Sequence, residues 1–348
     1  MKFFHERAAS WMLLILFLQI TALVLVIFAL IFLFSRAKTS LETPAEIARS
    51  RLSANINDGR FVQALYQIEA LASVSGWTPT LYRQVGDLRL QMNDPSGAAI
   101  QWEAARHSGN EDDLALVRQL GQTYLELGRW TETVDTFEAL IELSSGDVEA
   151  NYQLGLLLAA SDPISAEAHL RVVVDNDDYG QVARALVRLF VTNPAEPLIS
   201  MQVGRLLADY ELWLYAEQAF NYAAVVTTPN PEALAYLGLS RERQGKDGAV
   251  WIEQALTLAP DSPQVLYVWG LHLRTLNDTI GSLNALIEAT SLDPNNPAFY
   301  AELGSAYRLV GDLNSAEYWL KIAVEISQQD PVFQQLLDQF YTETGLNP

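Results

Sequence analysis

The groups able to do chemistry in this chain are scattered. His5, His107, His169 and His272 lie far apart, and no cysteine accompanies them. Neither a thiolate cluster nor an H-x3-H pair for a metal is spelled out. Asp112–Asp113 and Asp177–Asp178 are paired carboxylates. Each pair falls at an expected helix boundary, where the helix dipole favours acid, so both read as caps rather than acid–base couples. There is no GxxxxGK[ST] loop, no strand followed by GxGxxG, no G-x-S-x-G elbow and no HExxH. The chain is expected not to be an enzyme, and to use no cofactor, metal or small-molecule substrate.

What remains is charge. The net charge is −20. Residues 1–38 carry Lys2, Arg7, Arg36 and Lys38 against Glu6, a balance of +3 that leaves −23 for the rest. Such a surface repels nucleic acid and anionic headgroups, so no nucleic-acid partner is expected. Solubility accounts for the excess acid; a basic partner is the sharper alternative. Beyond residue 38 there are only 16 arginines and two lysines, so where those arginines fall carries information.

The elements that must position them are clearest in Pro297–Asp330. This stretch reads Tyr300-x2-Leu303-Gly304-x2-Tyr307, then Gly311, then Ala316-x3-Leu320-x2-Ala323. Small residues at Gly304 and Ala316 let two helix backbones approach, and the large residues fill the space beside them. The pattern resembles the tetratricopeptide repeat, a helix–turn–helix of 34 residues. One such pair cannot bury its apolar face, so copies must stack. Gly86, Gly121, Gly155, Gly204, Gly238, Gly270 and Gly304 supply the copies, at spacings of 35, 34, 49, 34, 32 and 34. Ala45–Trp77 is a poorer first copy in which Leu52 replaces the glycine. The resemblance implies an all-α fold, a tetratricopeptide-repeat superhelical solenoid, to which the apolar run Trp11–Phe34 adds one N-terminal transmembrane helix. Repeats 1–4 are expected over 45–180 and repeats 5–8 over 197–330.

The spacing of 49 exceeds one repeat by 15 and places an extra helix in 181–196. In it Val182, Leu186, Leu189 and Phe190 share one face. Two readings stay open: a decayed repeat that packs in the stack, and a joint between two halves. After the last repeat, 331–348 is expected to form a capping helix and tail, with Val332, Phe333, Leu336, Leu337, Phe340 and Tyr341 on its apolar face.

The resemblance also implies that the first helix of each repeat lines a concave groove. Counted from each repeat start, the groove positions hold Arg83, Arg118, Arg205, Arg243, Arg274 and Arg308, with Tyr152, Met201, Tyr236 and Tyr267. Gln84, Gln119, Gln153 and Gln202 recur at the sixth position. Arg and Tyr are residues that interfaces favour. The expected partner is a protein or peptide segment, acidic or carboxylate-bearing. The competing reading is that these arginines pair with acids on neighbouring helices. The Lys/Asn clamp with which one subset of the family holds chaperone C termini is not matched.

Trp11–Phe34 is a run of 24 residues without charge. As a helix it spans about 36 Å, enough to cross a hydrocarbon core of roughly 30 Å with some tilt. It follows a tail of residues 1–10 and precedes a linker of residues 35–44. A cleaved signal peptide is the alternative, but its apolar core is shorter, about 7–15 residues, and ends at a small-residue site not evident here. The basic residues on the two sides are nearly balanced, and with Arg49 and Arg51 included they slightly favour repeats in the cytoplasm. The short basic tail resembles an uncleaved signal anchor, which places the repeats outside the cytoplasm. The expected role is a membrane-anchored scaffold in assembly of a membrane or envelope complex. A structural subunit of a stable membrane complex is the alternative.

Overall fold

The computed structural model describes residues 21, 24–29, 31, 44–109, 112–193, 199–226 and 230–346. Among them no strand occurs. Two compact units emerge, residues 1–116 and 117–348, with the division inside one helix.

The first unit holds α1 (Pro44–Asn57), α2 (Phe61–Ser75), α3 (Pro79–Gln91) and α4 (Pro95–His107), and the opening turn of α5 (Leu114–Glu126). Leu52, where later copies have glycine, is buried with Ala64, Ile68, Val85 and Leu88. Trp102 of α4 has no exposed surface. Its indole N–H donates to Asp87 Oδ1 at 3.0 Å, tying α4 to α3.

The second unit continues with α6 (Trp130–Leu143), α7 (Val148–Leu158) and α8 (Pro163–Val173). A single helix, α9 (Gly180–Thr192), follows. Then come α10 (Ile199–Asp209), α11 (Trp213–Val226), α12 (Pro231–Arg243) and α13 (Ala249–Leu258). The unit ends with α14 (Pro263–Thr275), α15 (Thr279–Leu292), α16 (Pro297–Leu309), α17 (Leu313–Ile326) and α18 (Pro331–Thr344).

Local chemistry explains where these helices begin. Proline stands in the first turn of α3, α4, α8, α12, α14, α16 and α18, where its missing N–H costs nothing. Asp94, Asp147, Asp162, Asp278 and Asp312 accept a backbone N–H from the first turn, each cap contributing about 1 kcal/mol. Asp113 does the same at α5, accepting from Ala115 and Leu116 at 3.1 Å. The other acidic pair differs from expectation. Ahead of α9 it is Asn176 whose side chain accepts, from the N–H groups of Asp178 and Tyr179. This is an Asx turn in the approach to the helix, and α9 itself has no side-chain cap.

The glycine register is a packing register. A Cβ added at Gly86, Gly121, Gly155, Gly204, Gly238, Gly270 or Gly304 would lie 2.4–3.0 Å from a side chain of the following helix. Those side chains are Trp102, Phe137, Leu170, Phe220, Ile252, Leu286 and Leu320 respectively. Each is the large residue of its own pair, so glycine is what lets each pair close.

The extra helix does not divide the core. Val182, Ala183, Leu186 and Phe190 are buried in one apolar cluster that also contains Leu154, Leu170, Val203, Leu207 and Phe220. The boundary between compact units lies elsewhere, within α5. At the far end α18 buries Leu337 and Phe340 against Ala316, Leu320 and Val324. Val332 and Leu336 of its expected face are exposed.

Among the described residues no helix is long and apolar enough to cross a membrane. Within the expected span 11–34, residues 21, 24–29 and 31 are described and helical. Val24, Leu25, Ile27, Phe28 and Ile31 are exposed there. The rest of that span, the tail 1–10 and linker residues 35–43 lie outside the described residues.

Candidate functional site on the first helices

The arginines placed at groove positions fall into one arrangement with one exception. Each reaches forward to an acid one repeat further on. In the first unit Arg83 pairs with Asp113. In the second, Arg118 pairs with Asp147 and, at 3.2 Å, with Glu149. Arg205 meets Glu232 at 3.1 Å, Arg274 meets Glu302 at 2.6 Å, and Arg308 meets Glu343 at 2.7 Å. The partners of Arg118 and Arg205 lie in the first turn of a helix or cap it, where the dipole favours negative charge. These arginines do structural work already.

Arg243 is the exception. It is exposed at the end of α12, with no carboxylate in ion-pair range among the described residues. Its guanidinium lies 5.6 Å from the ring centre of Trp213, close enough for a cation–π contact. Beside it is a recess of 310 Å³ lined by Leu239, Glu242, Arg243, Leu271, Arg274 and Thr275. Glu242 binds Nδ1 of the buried His272 through Oε1 at 2.5 Å. Its other oxygen, Oε2, is buried without a partner. The recess therefore offers one unneutralised cation, two leucine walls and one unused acceptor.

The tyrosines are less available than their positions suggest. Tyr236 stacks on Phe220 at 5.2 Å and Tyr267 on Phe299 at 4.9 Å. Burial pushes both phenols upward. Arg205 lies over Tyr236 at 5.2 Å. Tyr152 and Met201 are buried, each 7 % exposed. Tyr152 stacks on Tyr179 at 4.4 Å, and burial, with Tyr179 beside it, pushes its hydroxyl up to about 12. Gln153 accepts the hydroxyl of Tyr215, a bond from α11 back to α7 across the single helix. Gln84 lines a recess in the first unit, and Gln119 and Gln202 are half-buried.

Two groupings lay beyond sequence reasoning. One is the Glu242–His272 pair, whose members sit on consecutive first helices 30 residues apart. The other is Glu217, which accepts from Arg241 at 2.7 Å, Gln244 at 2.8 Å and Lys246 at 3.0 Å. Both would be reachable only by setting the repeats in register and asking which polar residues then face each other.

The Glu217 hub has a pH consequence. Burial opposes its charge, but the bonds from Lys246, Gln244 and Arg241 outweigh it and hold the carboxyl below the usual glutamate value of 4.5. A depressed folded value gives stability that is present above the unfolded value and lost as pH falls through the folded one. Glu217→Gln is expected to lower stability by about 1–3 kcal/mol at neutral pH. It should also remove part of the acid-side slope below pH 4.5. Urea melts at pH 7 and pH 3.5 check this: the difference between variant and parent should shrink at the lower pH.

The model of the tetratricopeptide repeat family matches residues 85–148 and 267–331. A search of curated proteins gave no match. Among solved structures the chain is similar to a tetratricopeptide repeat protein from Parabacteroides merdae. The identity is 15 %, over 75 % of this chain and 98 % of that one, at a TM-score of 0.37. It is similar to yeast Tom70 at 13 % identity, covering 76 % and 72 % of the two chains, TM-score 0.33. It is also similar to a human IFIT1 dimer with m7Gppp-AAAA, at 15 % identity, covering 83 % and 70 %, TM-score 0.39. Residues 85–148 and 267–331 thus match the tetratricopeptide repeat, and among the described residues the remaining secondary structure is helical too, which gives each unit a tetratricopeptide-repeat-like fold.

Proposed function

We propose that the chain is a protein-interaction scaffold, not an enzyme, held at a membrane by residues 11–34. In this reading the recess between α12 and α14 holds a carboxylate-bearing segment of a partner protein. The observation that supports it is the unpaired guanidinium of Arg243 in a row where each neighbouring groove arginine is already neutralised. A partner carboxylate needs a cation that binding does not first have to strip of its own acid. Arginine offers a planar fork for two parallel hydrogen bonds. Leu239 and Leu271 give apolar walls for a side chain. The surrounding negative charge opposes free diffusion of an acidic segment to the site. A partner confined to the same membrane avoids that barrier, which favours a role in assembling a membrane or envelope complex. The short basic tail before the apolar run supports an orientation with the repeats outside the cytoplasm.

Crosslinking in native membranes, followed by identification of the attached protein, supplies the partner. Arg243→Glu should then cut its capture about 10–100-fold, the effect of losing a charged hydrogen-bonded contact of about 1.5–3 kcal/mol. The melting profile should shift only slightly: Arg243 is exposed, and the lost Trp213 contact and the acid in the last turn of α12 each cost up to about 1 kcal/mol. Undiminished capture by a normally folded Arg243→Glu protein would place the site elsewhere.

A further inference from the structure

The first helix pair shows solvent an apolar ridge on its second helix, as α11 and α15 also do, and it is the charge around the ridge and its place in the chain that distinguish it. On α2, Ala64, Ile68 and Ala72 face the core. The opposite side carries Val62, Tyr66, Ala70 and Val74, spaced by four residues and therefore neighbours along one ridge. Their exposure is large: 50 % for Val62, 68 % for Tyr66 and 89 % for Val74. Trp77 follows, 43 % exposed and stacked on Tyr82 at 4.8 Å.

Charge sets this pair apart. Residues 44–77 carry Arg49, Arg51 and Arg60 against Glu46, Asp58 and Glu69, a balance of zero, while residues 39–348 together carry −23. The pair is also the one nearest in sequence to the apolar run. Twelve residues lie between Ile31 and Pro44, a stretch that reaches at most about 45 Å.

We propose that this ridge rests on the lipid surface, with Tyr66 and Trp77 at headgroup level and Val62 and Val74 directed toward the acyl boundary. The proposal rests on the membrane reading above. Tyr and Trp favour that depth because each has an apolar body and a polar tip. A neutral patch meets no headgroup repulsion, whereas the acidic remainder of the chain is kept off. The tether makes contact intramolecular, so a small apolar area suffices without any strong affinity of its own. The surface would thereby fix how the first repeat stands on the bilayer.

The absence of cysteine permits a direct test on the full chain in phosphatidylcholine vesicles. Nitroxide labels are placed singly through Val26→Cys, Tyr66→Cys, Val74→Cys and Val250→Cys. Each label's collision rate is measured with oxygen, which concentrates in lipid, and with a water-soluble nickel complex. Val250 is an exposed apolar residue far along the chain, 62 % accessible, and serves as the aqueous reference. The expected result is an oxygen-to-nickel ratio at Tyr66→Cys and Val74→Cys several-fold above that at Val250→Cys, with Val26→Cys higher still. A lipid-like ratio at Val26→Cys with aqueous ratios at Tyr66→Cys and Val74→Cys would overturn the docking and leave the anchor standing. An aqueous ratio at Val26→Cys would overturn both. Shielding of Tyr66→Cys and Val74→Cys from both reagents would assign the ridge to a protein partner and overturn the lipid surface.

Discussion

Trp102→Ala is expected to unfold the first unit while leaving the second folded. Trp102 has no exposed surface, fills the space that Gly86 leaves open, and holds Asp87 by its indole N–H. Removing a buried indole costs about 3–5 kcal/mol. Loss of the donor leaves Asp87 without that partner, which adds to the cost. A whole domain is stable by only about 5–15 kcal/mol, and this unit has few helix pairs over which to spread the loss. Repeat arrays couple mainly to their neighbours, so the damage should stay local. Hydrogen exchange resolved by peptide is the measurement. Amides of α3 and α4 should lose protection, while those of α14–α17 keep it. Uniform loss along the chain would mean that the two units fold as one.

Leu186→Ala should behave differently. Leu186 is fully buried in α9, within an apolar cluster containing residues of α7, α8, α10 and α11. The truncation should cost about 2–5 kcal/mol. Because the cluster runs through the helix, destabilisation should spread to both sides of it. Exchange of α7–α8 and of α10–α11 amides should accelerate together, and the circular dichroism melt should shift as one transition for residues 117–348. If only the helices on one side were loosened, α9 would be a joint after all.

The helix pairs were legible because their determinants are close in sequence. A glycine and the large residue that fills its space lie 14–16 positions apart, from Gly86–Trp102 to Gly304–Leu320, and prolines and aspartates punctuate the starts. The state of the candidate groove was legible only by half. Register could put arginines on the first helices, but whether each meets an acid depends on where long side chains reach one repeat away. Arg118 and Arg243 look alike in sequence; one has two carboxylates and the other has an indole. Register places Tyr152 on the groove, yet Tyr179 at the start of α9 stacks on its ring, and Gln153 beside it takes the Tyr215 hydroxyl. Those contacts follow from an inserted helix that repeat counting treats as an interruption.

The forward-reaching arginines carry a mechanical consequence. Within the second unit, Arg118, Arg205, Arg274 and Arg308 each tie one repeat to an acid in a later element, and these rungs are partly exposed. At α9 the corresponding rung is the uncharged Tyr215–Gln153 bond. Salt shortens the reach of exposed charges, from about 8 Å at physiological ionic strength to about 3 Å at 1 M, and leaves a neutral bond nearly untouched. The array therefore has a stiffness that ionic strength can tune except at its inserted helix and at α12, where Arg243 meets an indole and no acid. Pulled from its two ends, it would yield first at its salted rungs, while the segment around α9 held its length.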